Sequence, residues 1–276
     1  MNQYSPQGFR VLPAGVKNLI IINVIAYLAT VVMASRGIQL DHWLALYPTH
    51  GEHFHFWQYL TYQFMHASFD HILFNMFALW MFGYVLENIW GTRRFLFFYL
   101  ACGIGAGLVH TLITGLGGYM AQEAINAYAV NPNPDDFIQL LQHRFRNTYN
   151  PDAVATFVDS WRSQSGLSEI QGREQSVAIA QMLLDNRMGV PTVGASGAVY
   201  GILLAFGMMF PNERIYLYFL FPIKAKWFVI GYGLVELFLG VFHSADGIAH
   251  FAHLGGMIFG FILILYWRRH QFNRWN

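Results

Sequence analysis

Long apolar stretches without charged residues recur along the chain, and shorter segments between them carry most of the charges. A bilayer core of about 30 Å requires about 20 mostly apolar residues per helix. Stretches of this kind lie at residues 18–35, 71–86, 95–122, 188–212, 227–245 and 247–267. The pattern predicts six transmembrane helices, and Glu236 is the one acidic residue inside them.

The composition supports a membrane protein. Hydrophobic residues make up 55% of the chain and charged residues only 11%, whereas soluble domains carry about 25% charged residues. A disordered chain would be poor in apolar residues, and a net charge of +1 argues against a nucleic-acid-binding surface. The single cysteine, Cys102, excludes an internal disulfide and a cysteine-based zinc site.

Basic residues are distributed unequally between the two sides of the predicted helices. The short loops of one side carry only Arg36, whereas the other side carries Arg10, Lys17, Arg93, Arg94, Arg214, Lys224, Lys226, Arg268, Arg269 and Arg274. Because cytoplasmic loops are enriched in Lys and Arg, the sequence predicts that both termini are cytoplasmic. A signal peptide cleaved near Ala34 is the alternative for the first helix, but the polar lead and the length of the apolar run favour a retained anchor.

A segment of different composition separates the third and fourth helices. Residues 117–188 carry five arginines and eight acidic residues, which predicts a soluble external insertion. Apolar spacing within it predicts short amphipathic helices near 137–145, 153–161 and 175–184. The predicted division is a cytoplasmic N-terminal segment (1–16), core helices 1–3 with the first external loop (17–116), the insertion (117–188), core helices 4–6 (189–267) and a cytoplasmic tail (268–276).

Polar residues cluster at three places in these helices, although polar groups are costly where they face lipid. The clusters are His66, His71 and Asn75 at the second helix, Gly194-Ala195-Ser196-Gly197 at the fourth, and His250 and His253 at the sixth. His71 and Asn75 are four residues apart and share one helix face. Taken alone, this pair fits an interhelical hydrogen bond, and Ser196 and His253 fit packed polar residues beside glycines.

Two pairs of glycines, each four residues apart, favour a close contact between the fourth and sixth helices. They are Gly197 and Gly201 on the fourth helix and Gly256 and Gly260 on the sixth. Glycines at this spacing let two helix backbones approach closely. Such an approach would bring Ser196 and His253 to roughly 2.6–3.2 Å, the separation that an activated nucleophile requires. Ser196, His253 and His71 are all predicted near the external ends of their helices, at matching depth.

These motifs closely resemble those of the rhomboid family of intramembrane serine proteases. The matching residues are His66-x4-His71-x3-Asn75, Gly194-Ala195-Ser196-Gly197 and Ala252-His253-Leu254-Gly255-Gly256. The resemblance covers residues from about 14 to 267, except for the insertion. It implies an all-α polytopic membrane protein, a six-transmembrane-helix rhomboid-like bundle with a soluble insertion between helices 3 and 4.

The resemblance also implies the reacting groups. Ser196 is expected to be the nucleophile and His253 the general base, as a dyad without the carboxylate of the Ser-His-Asp triad. Tyr200 matches an aromatic residue that stacks on the histidine ring, and Glu87 matches a structural acid at the end of the second helix. The chemistry needs only water, so no cofactor and no metal are expected.

An oxyanion hole is implied by the same resemblance. Its expected members are the side chains of His71 and Asn75 and the backbone at Gly194, Ala195 and Ser196. Fixed donors in a water-poor site stabilise developing negative charge strongly. One residue departs from the family pattern, because many rhomboids carry Trp-Arg in the first external loop and this chain has Trp57-Gln58. Glutamine lacks the guanidinium fork, so a different anchoring of the loop is expected.

The expected substrate is a single-pass transmembrane protein, cut near the external membrane boundary. A helical peptide hides its own carbonyls, so the substrate would unwind as it enters laterally. In the family, entry is associated with the fifth helix and the following loop, which here span about 227–247. Trp227, Phe238 and Phe242 are gate candidates by position. The expected location is the bacterial inner membrane, with lipid and substrate as partners, no nucleic acid and no predicted oligomeric state.

Two other functions are left open by the sequence. One is a non-catalytic rhomboid-like protein that binds membrane proteins, although relatives of that kind lack the nucleophile or the base. The other is a metal-dependent membrane protein with His66, His71, His250 and His253 as ligands, although the chain contains no His-Glu-x-x-His motif. Glu236 is expected to form an internal hydrogen bond, with a proton-carrying role as the alternative.

Overall fold

The structure is a computed structural model that describes residues 9–49, 53–217, 220–242 and 249–272. Its helices are α1 (Ala14–Ala34), α2 (Asp41–Leu44), α3 (Gln58–Thr61), α4 (Phe69–Trp90), α5 (Thr92–Tyr128), α6 (Pro134–Arg144), α7 (Pro151–Ser163), α8 (Glu169–Met188), α9 (Ser196–Met209), α10 (Ala225–Phe242) and α11 (His250–Phe272). A 3₁₀ turn covers Tyr62–Phe64, and two short strands, β1 (Arg214–Leu217) and β2 (Phe221–Lys224), form one antiparallel pair. The residues at 1–8, 243–248 and 273–276 that belong to the predicted tails and gate loop lie outside the described part.

Five of these helices are long and apolar enough to cross a membrane, within the residues that the structure describes: α1, α4, α5, α10 and α11. The remaining predicted span, the fourth, contains α9, an apolar helix of 14 residues. The all-α polytopic bundle predicted from the sequence is therefore confirmed, and the molecule is an integral membrane protein.

The fourth span differs from the prediction in length. The apolar stretch 188–212 contains the end of α8, an extended segment and then α9. In the extended segment, Thr192 exchanges two backbone hydrogen bonds with Leu46 of the first loop, at 2.8 and 2.9 Å. Pro191 has no backbone N–H, which disfavours a helix through this segment. As a result, α9 begins at Ser196.

Helix α5 is longer than its apolar stretch. It continues to Tyr128 without a break, so the predicted insertion boundary at residue 117 lies inside it. Its last turns pack against α6 and α8 around a second apolar core, which contains Phe137, Trp161 and Leu184. Helices α6, α7 and α8 lie where the amphipathic spacing predicts them, and the division of the chain into domains stays a prediction.

Helix α9 occupies the centre of the bundle, packed against α4, α5, α10 and α11. Its small residues, including Gly197, Ala198, Gly201 and Ala205, are buried. Small side chains let the surrounding helices approach a central helix closely. The interior of the bundle is completed by large apolar residues such as Phe95 and Phe98 of α5.

Glu87 ties the end of α4 to the start of α1, in agreement with the structural role that the resemblance implies. Its two carboxylate oxygens each accept a backbone N–H, from Gly15 and Val16, at 2.7 Å. The Thr92 hydroxyl donates to the same carboxylate at 2.7 Å. A carboxylate at a helix N-terminus is favoured by the helix dipole, and this one is buried.

Candidate active site

The segment before α9 fixes the position of Ser196. Gly194 has a φ of +130°, a backbone conformation that non-glycine residues rarely adopt. A Cβ at this residue would lie 2.8 Å from the ring of His71. The Gly194 N–H donates to the Tyr62 carbonyl at 2.9 Å. Together with the Leu46–Thr192 pairing, this bond anchors the start of α9 to the first loop.

The predicted glycine pairs bring the backbones of α9 and α11 together. A Cβ at Gly256 would lie 1.8 Å from the carbonyl oxygen of Gly197, and one at Gly260 would lie 3.2 Å from that of Gly201. Such separations leave no room for side chains between the two helices. The contact sets the first turn of α11 against the first turn of α9.

Ser196 and His253 meet at this contact. The Ser196 hydroxyl and His253 Nε2 are 2.8 Å apart. The ring of Tyr200 stacks on the imidazole, with ring centres 4.3 Å apart and an interplanar angle of 4°. Tyr200 lies one turn after Ser196 on the same helix, so α9 supplies both the hydroxyl and the ring that holds its histidine partner.

Glu236 of α10 joins this group of side chains. Its Oε2 lies 2.6 Å from His250 Nδ1 and 3.0 Å from His253 Nδ1. The Tyr200 hydroxyl donates to its Oε1. The expected internal hydrogen bonds are present, but the approach to His253 was missed from the sequence. No sequence spacing links residue 236 to residue 253, because their helices meet only in the folded bundle.

His71 and Asn75 line a cavity of about 660 Å³ together with Ser196 and His253. The hydroxyl of Ser68 caps α4 by accepting the His71 backbone N–H at 3.2 Å. This cap places His71 in the first helical turn and Asn75 one turn later. Within the described residues, Asn75 forms no interhelical hydrogen bond, so the structural interpretation of the His71–Asn75 pair has no support there.

The backbone N–H groups at the start of α9 differ in whether they already donate a hydrogen bond. The N–H of Gly194 is engaged with Tyr62, so it is not a free donor and Gly194 contributes through its shape. The N–H groups of Ala195 and Ser196 donate to no acceptor among the described residues. They lie at the N-terminus of α9, where the helix dipole favours negative charge.

The residues of α10 that line the cavity are not the gate candidates chosen by position. Trp227, Phe238 and Phe242 are 59%, 55% and 54% exposed, and none of them lines the cavity. Phe228 and Tyr232 line it instead. Positions 228, 232 and 236 are four residues apart, so helical periodicity counted from the buried acid would have identified this face.

The first loop is anchored without an arginine. The Gln58 side chain is buried, and its Oε1 accepts the backbone N–H groups of Tyr47 and His55, each at 3.2 Å. Its amide donates to the His53 carbonyl at 2.8 Å. These three bonds replace the guanidinium fork. His66, at the end of this loop, is buried, and burial followed by the nearby His71 lowers the pKa of His66 to about 4, so its ring is neutral at pH 7.

One donor set in the described part of the chain has the composition of a metal site. It consists of Glu236, His250 and His253, whose donor atoms lie within 4.8 Å of one another. It differs from the four histidines considered from the sequence. Two ligands of a tetrahedral zinc ion lie roughly 3.3 Å apart, since each bond is about 2.0 Å long. The 2.6 Å contact between Glu236 and His250 is shorter and fits a direct hydrogen bond.

Fold and site together define a polytopic helical membrane protein with a Ser–His pair beside a cavity. A model of the Rhomboid domain matches residues 53–127 and 175–270, more than half of the chain. The chain therefore belongs to the rhomboid family. The unmatched residues between these ranges include α6 and α7.

Relatives with known sequences support this assignment. The chain is 24% identical over 225 residues to an uncharacterized mitochondrial rhomboid protein of Schizosaccharomyces pombe, covering 77% of this chain and 52% of the relative. It is 36% identical over 100 residues to the chloroplastic rhomboid-like protein 11 of Arabidopsis thaliana, covering 36% and 33%. It is 26% identical over 97 residues to the rhomboid protease GlpG of Photorhabdus laumondii, covering 35% and 33%. The chain spans about half or less of the length of each of these relatives.

Proposed function

We propose that the protein is an intramembrane serine endopeptidase that cleaves single-pass transmembrane proteins near the external membrane boundary. The observation that carries this proposal is the 2.8 Å contact between the Ser196 hydroxyl and His253 Nε2, at the wall of a cavity. A hydroxyl is a weak nucleophile, and an adjacent imidazole activates it by accepting its proton.

In the proposed reaction, Ser196 Oγ attacks the scissile carbonyl while its proton passes to His253 Nε2. The tetrahedral intermediate collapses when the carbon–nitrogen bond breaks and His253 returns the proton to the leaving amine. Water, deprotonated by His253, then attacks the acyl-enzyme and restores Ser196. The Tyr200 ring, stacked on the imidazole, keeps Nε2 directed at Ser196 through these steps.

Negative charge on the carbonyl oxygen is stabilised by donors around the same cavity. The backbone N–H groups of Ala195 and Ser196 are free within the described chain, and Asn75 and His71 line the same cavity as Ser196. Donors fixed before the reaction act strongly, because they need no reorganisation as the charge develops.

Substrate access and orientation belong to the same proposal. The cavity is lined along α10 by Phe228 and Tyr232, which face an unwound segment of an entering helix. The asymmetry of the basic residues supports cytoplasmic termini. Ser196 and the insertion then lie on the external side, and we propose the bacterial inner membrane as the location.

A cleavage assay tests the proposal. The full chain, purified in detergent and reconstituted in liposomes, is incubated with a panel of single-pass helices, and the products are mapped by mass spectrometry. We expect cuts near the external boundary of the helix, unaffected by chelators. Intact substrates that nevertheless co-purify with the protein would favour the non-catalytic binding function.

Asn75→Ala is expected to lower kcat about 10²-fold without abolishing cleavage, because one of several oxyanion donors is lost. KM is expected to stay unchanged if the amide contacts the oxyanion only in the transition state. Steady-state kinetics in liposomes measure both constants. Asn23→Ala, which removes a buried asparagine of α1 that bonds to Leu19, is the matched control. Equal kcat values for the two variants would contradict the role of Asn75.

A further inference from the structure

Glu236 is a buried acid in the middle of a membrane-spanning helix. The residue is 6% exposed, and it lies in α10, among apolar residues such as Val235 and Leu237. A charge away from water is costly unless it is paired and hydrogen-bonded. Intramembrane acids therefore require a specific reason for their presence.

Among the described residues, a side chain contacts each oxygen of the carboxylate. The Tyr200 hydroxyl donates to Oε1, and His250 Nδ1 lies 2.6 Å from Oε2. These two side chains come from α9 and α11, the helices that carry Ser196 and His253. The acid is therefore fixed by the same two helices whose contact forms the reacting pair.

The fixed carboxylate approaches the histidine on the side away from Ser196. Oε2 lies 3.0 Å from His253 Nδ1, although this nitrogen forms no aligned hydrogen bond within the described residues. Catalytic hydrogen bonds are often poorly aligned in the free enzyme and tighten when substrate binds. Both ring nitrogens of His253 thus have a reaction-relevant neighbour, the hydroxyl at Nε2 and the carboxylate at Nδ1.

We propose that Glu236 is a positioning residue that acts through His253, so that this chain works with a Ser–His–Glu arrangement in place of a dyad held by stacking alone. The inference rests on the proposed protease function and deepens it. It assigns the acid two tasks: orienting the imidazole with Nε2 toward Ser196, and stabilising the imidazolium that forms during attack.

Each proton that moves in this reaction has a defined donor and acceptor. The Ser196 proton moves to His253 Nε2 as the Oγ–carbon bond forms, and the ring becomes an imidazolium whose Nδ1–H faces Oε2. Glu236 stays ionised and takes no proton, as the acid does in the Ser-His-Asp template. When the carbon–nitrogen bond breaks, the Nε2 proton leaves with the amine and the ring returns to its neutral form.

Two substitutions separate the charge of Glu236 from its packing. Glu236→Gln keeps the size and an acceptor oxygen but removes the charge, and Glu236→Asp keeps the charge on a shorter side chain. We expect Glu236→Gln to lower kcat about 10²-fold with little change in KM, and to slow fluorophosphonate labelling of Ser196 in parallel. The kcat of Glu236→Asp is expected to be at least about tenfold higher than that of Glu236→Gln, because the anion is present again.

The second buried carboxylate of the bundle is the matched control. Glu87 accepts hydrogen bonds from two backbone N–H groups. It lies near the C-terminal end of α4, whereas His71 lies in the first turn of that helix. Glu87→Gln is expected to lower the thermal midpoint in detergent but to leave kcat per folded molecule unchanged. Glu236→Gln is expected to show the reverse, a lowered kcat in a folded protein.

The outcomes are distinguishable. A kcat for Glu236→Gln within about twofold of wild type, in an active preparation, overturns the positioning role and leaves the proposed protease intact. Equal losses in the Gln and Asp variants, accompanied by a lowered thermal midpoint, mark a structural acid and also overturn it. Loss of wild-type activity on chelation, restored by Zn²⁺, would assign the cluster to a metal instead. If the wild-type protein neither cleaves substrates nor reacts with the fluorophosphonate, both the proposed function and this inference are wrong.

Discussion

Ser196→Ala and His253→Ala are each expected to abolish cleavage and to leave a folded protein. Ser196 Oγ is the atom that forms the acyl bond, and His253 Nε2, 2.8 Å away, is the group that accepts its proton. Either substitution therefore prevents the attack of Ser196 on the scissile carbonyl. Residues that act as one unit are not additive, so the double variant should be no less active than either single one.

The measurement is product formation in liposomes over several days, with folding checked by thermal unfolding in detergent. Ser35→Ala and His143→Ala are suitable controls, because both residues are exposed and lie away from the cavity. They should cleave at the wild-type rate. Substantial cleavage by Ser196→Ala would mean that another group is the nucleophile.

Gly256→Ala is expected to disrupt both stability and activity. The added Cβ would lie 1.8 Å from the backbone oxygen of Gly197, and a backbone atom cannot move aside as a flexible side chain can. We expect destabilisation of about 3 kcal/mol or more. Because a displacement of about 1 Å costs about 10²-fold in rate, separation of α9 from α11 should also suppress cleavage in the molecules that remain folded.

A graded series makes this prediction specific. A Cβ at Gly260 would lie 3.2 Å from Gly201 O, and one at Gly231 of α10 meets nothing within 4 Å. Stability and activity should therefore decrease in the order Gly231→Ala, Gly260→Ala, Gly256→Ala, with the first close to wild type. Unfolding midpoints and cleavage rates, measured for all three, test the order. A folded, active Gly256→Ala would show that the close helix contact is not required.

The features that the sequence predicts well are those that depend on local composition. A transmembrane helix must be apolar over about 20 residues, so α1, α4, α5, α10 and α11 are visible as uncharged stretches. The glycine pairs on the fourth and sixth helices likewise indicate a close contact, because glycine lets two helix backbones approach each other. The geometry between Ser196 and His253 follows from that contact.

Features that depend on how the helices are rotated against one another are harder to predict from the sequence. The sequence shows Glu236 as a buried acid, but its approach to His253 arises only when α10 packs beside α9 and α11. The start of α9 at Ser196 depends on pairing between Thr192 and Leu46, which are far apart along the chain. The short pair β1–β2 was missed because two four-residue strands carry little periodic signal.

The proposed Ser–His chemistry depends most directly on the reactivity of one hydroxyl. Full-length protein in detergent is treated with a fluorophosphonate probe, digested, and the modified residue is identified by mass spectrometry. We predict a single modified residue, Ser196, and no labelling when His253 is replaced by alanine. An unmodified Ser196 in folded wild-type protein, or equal labelling with and without His253, would contradict the Ser–His chemistry.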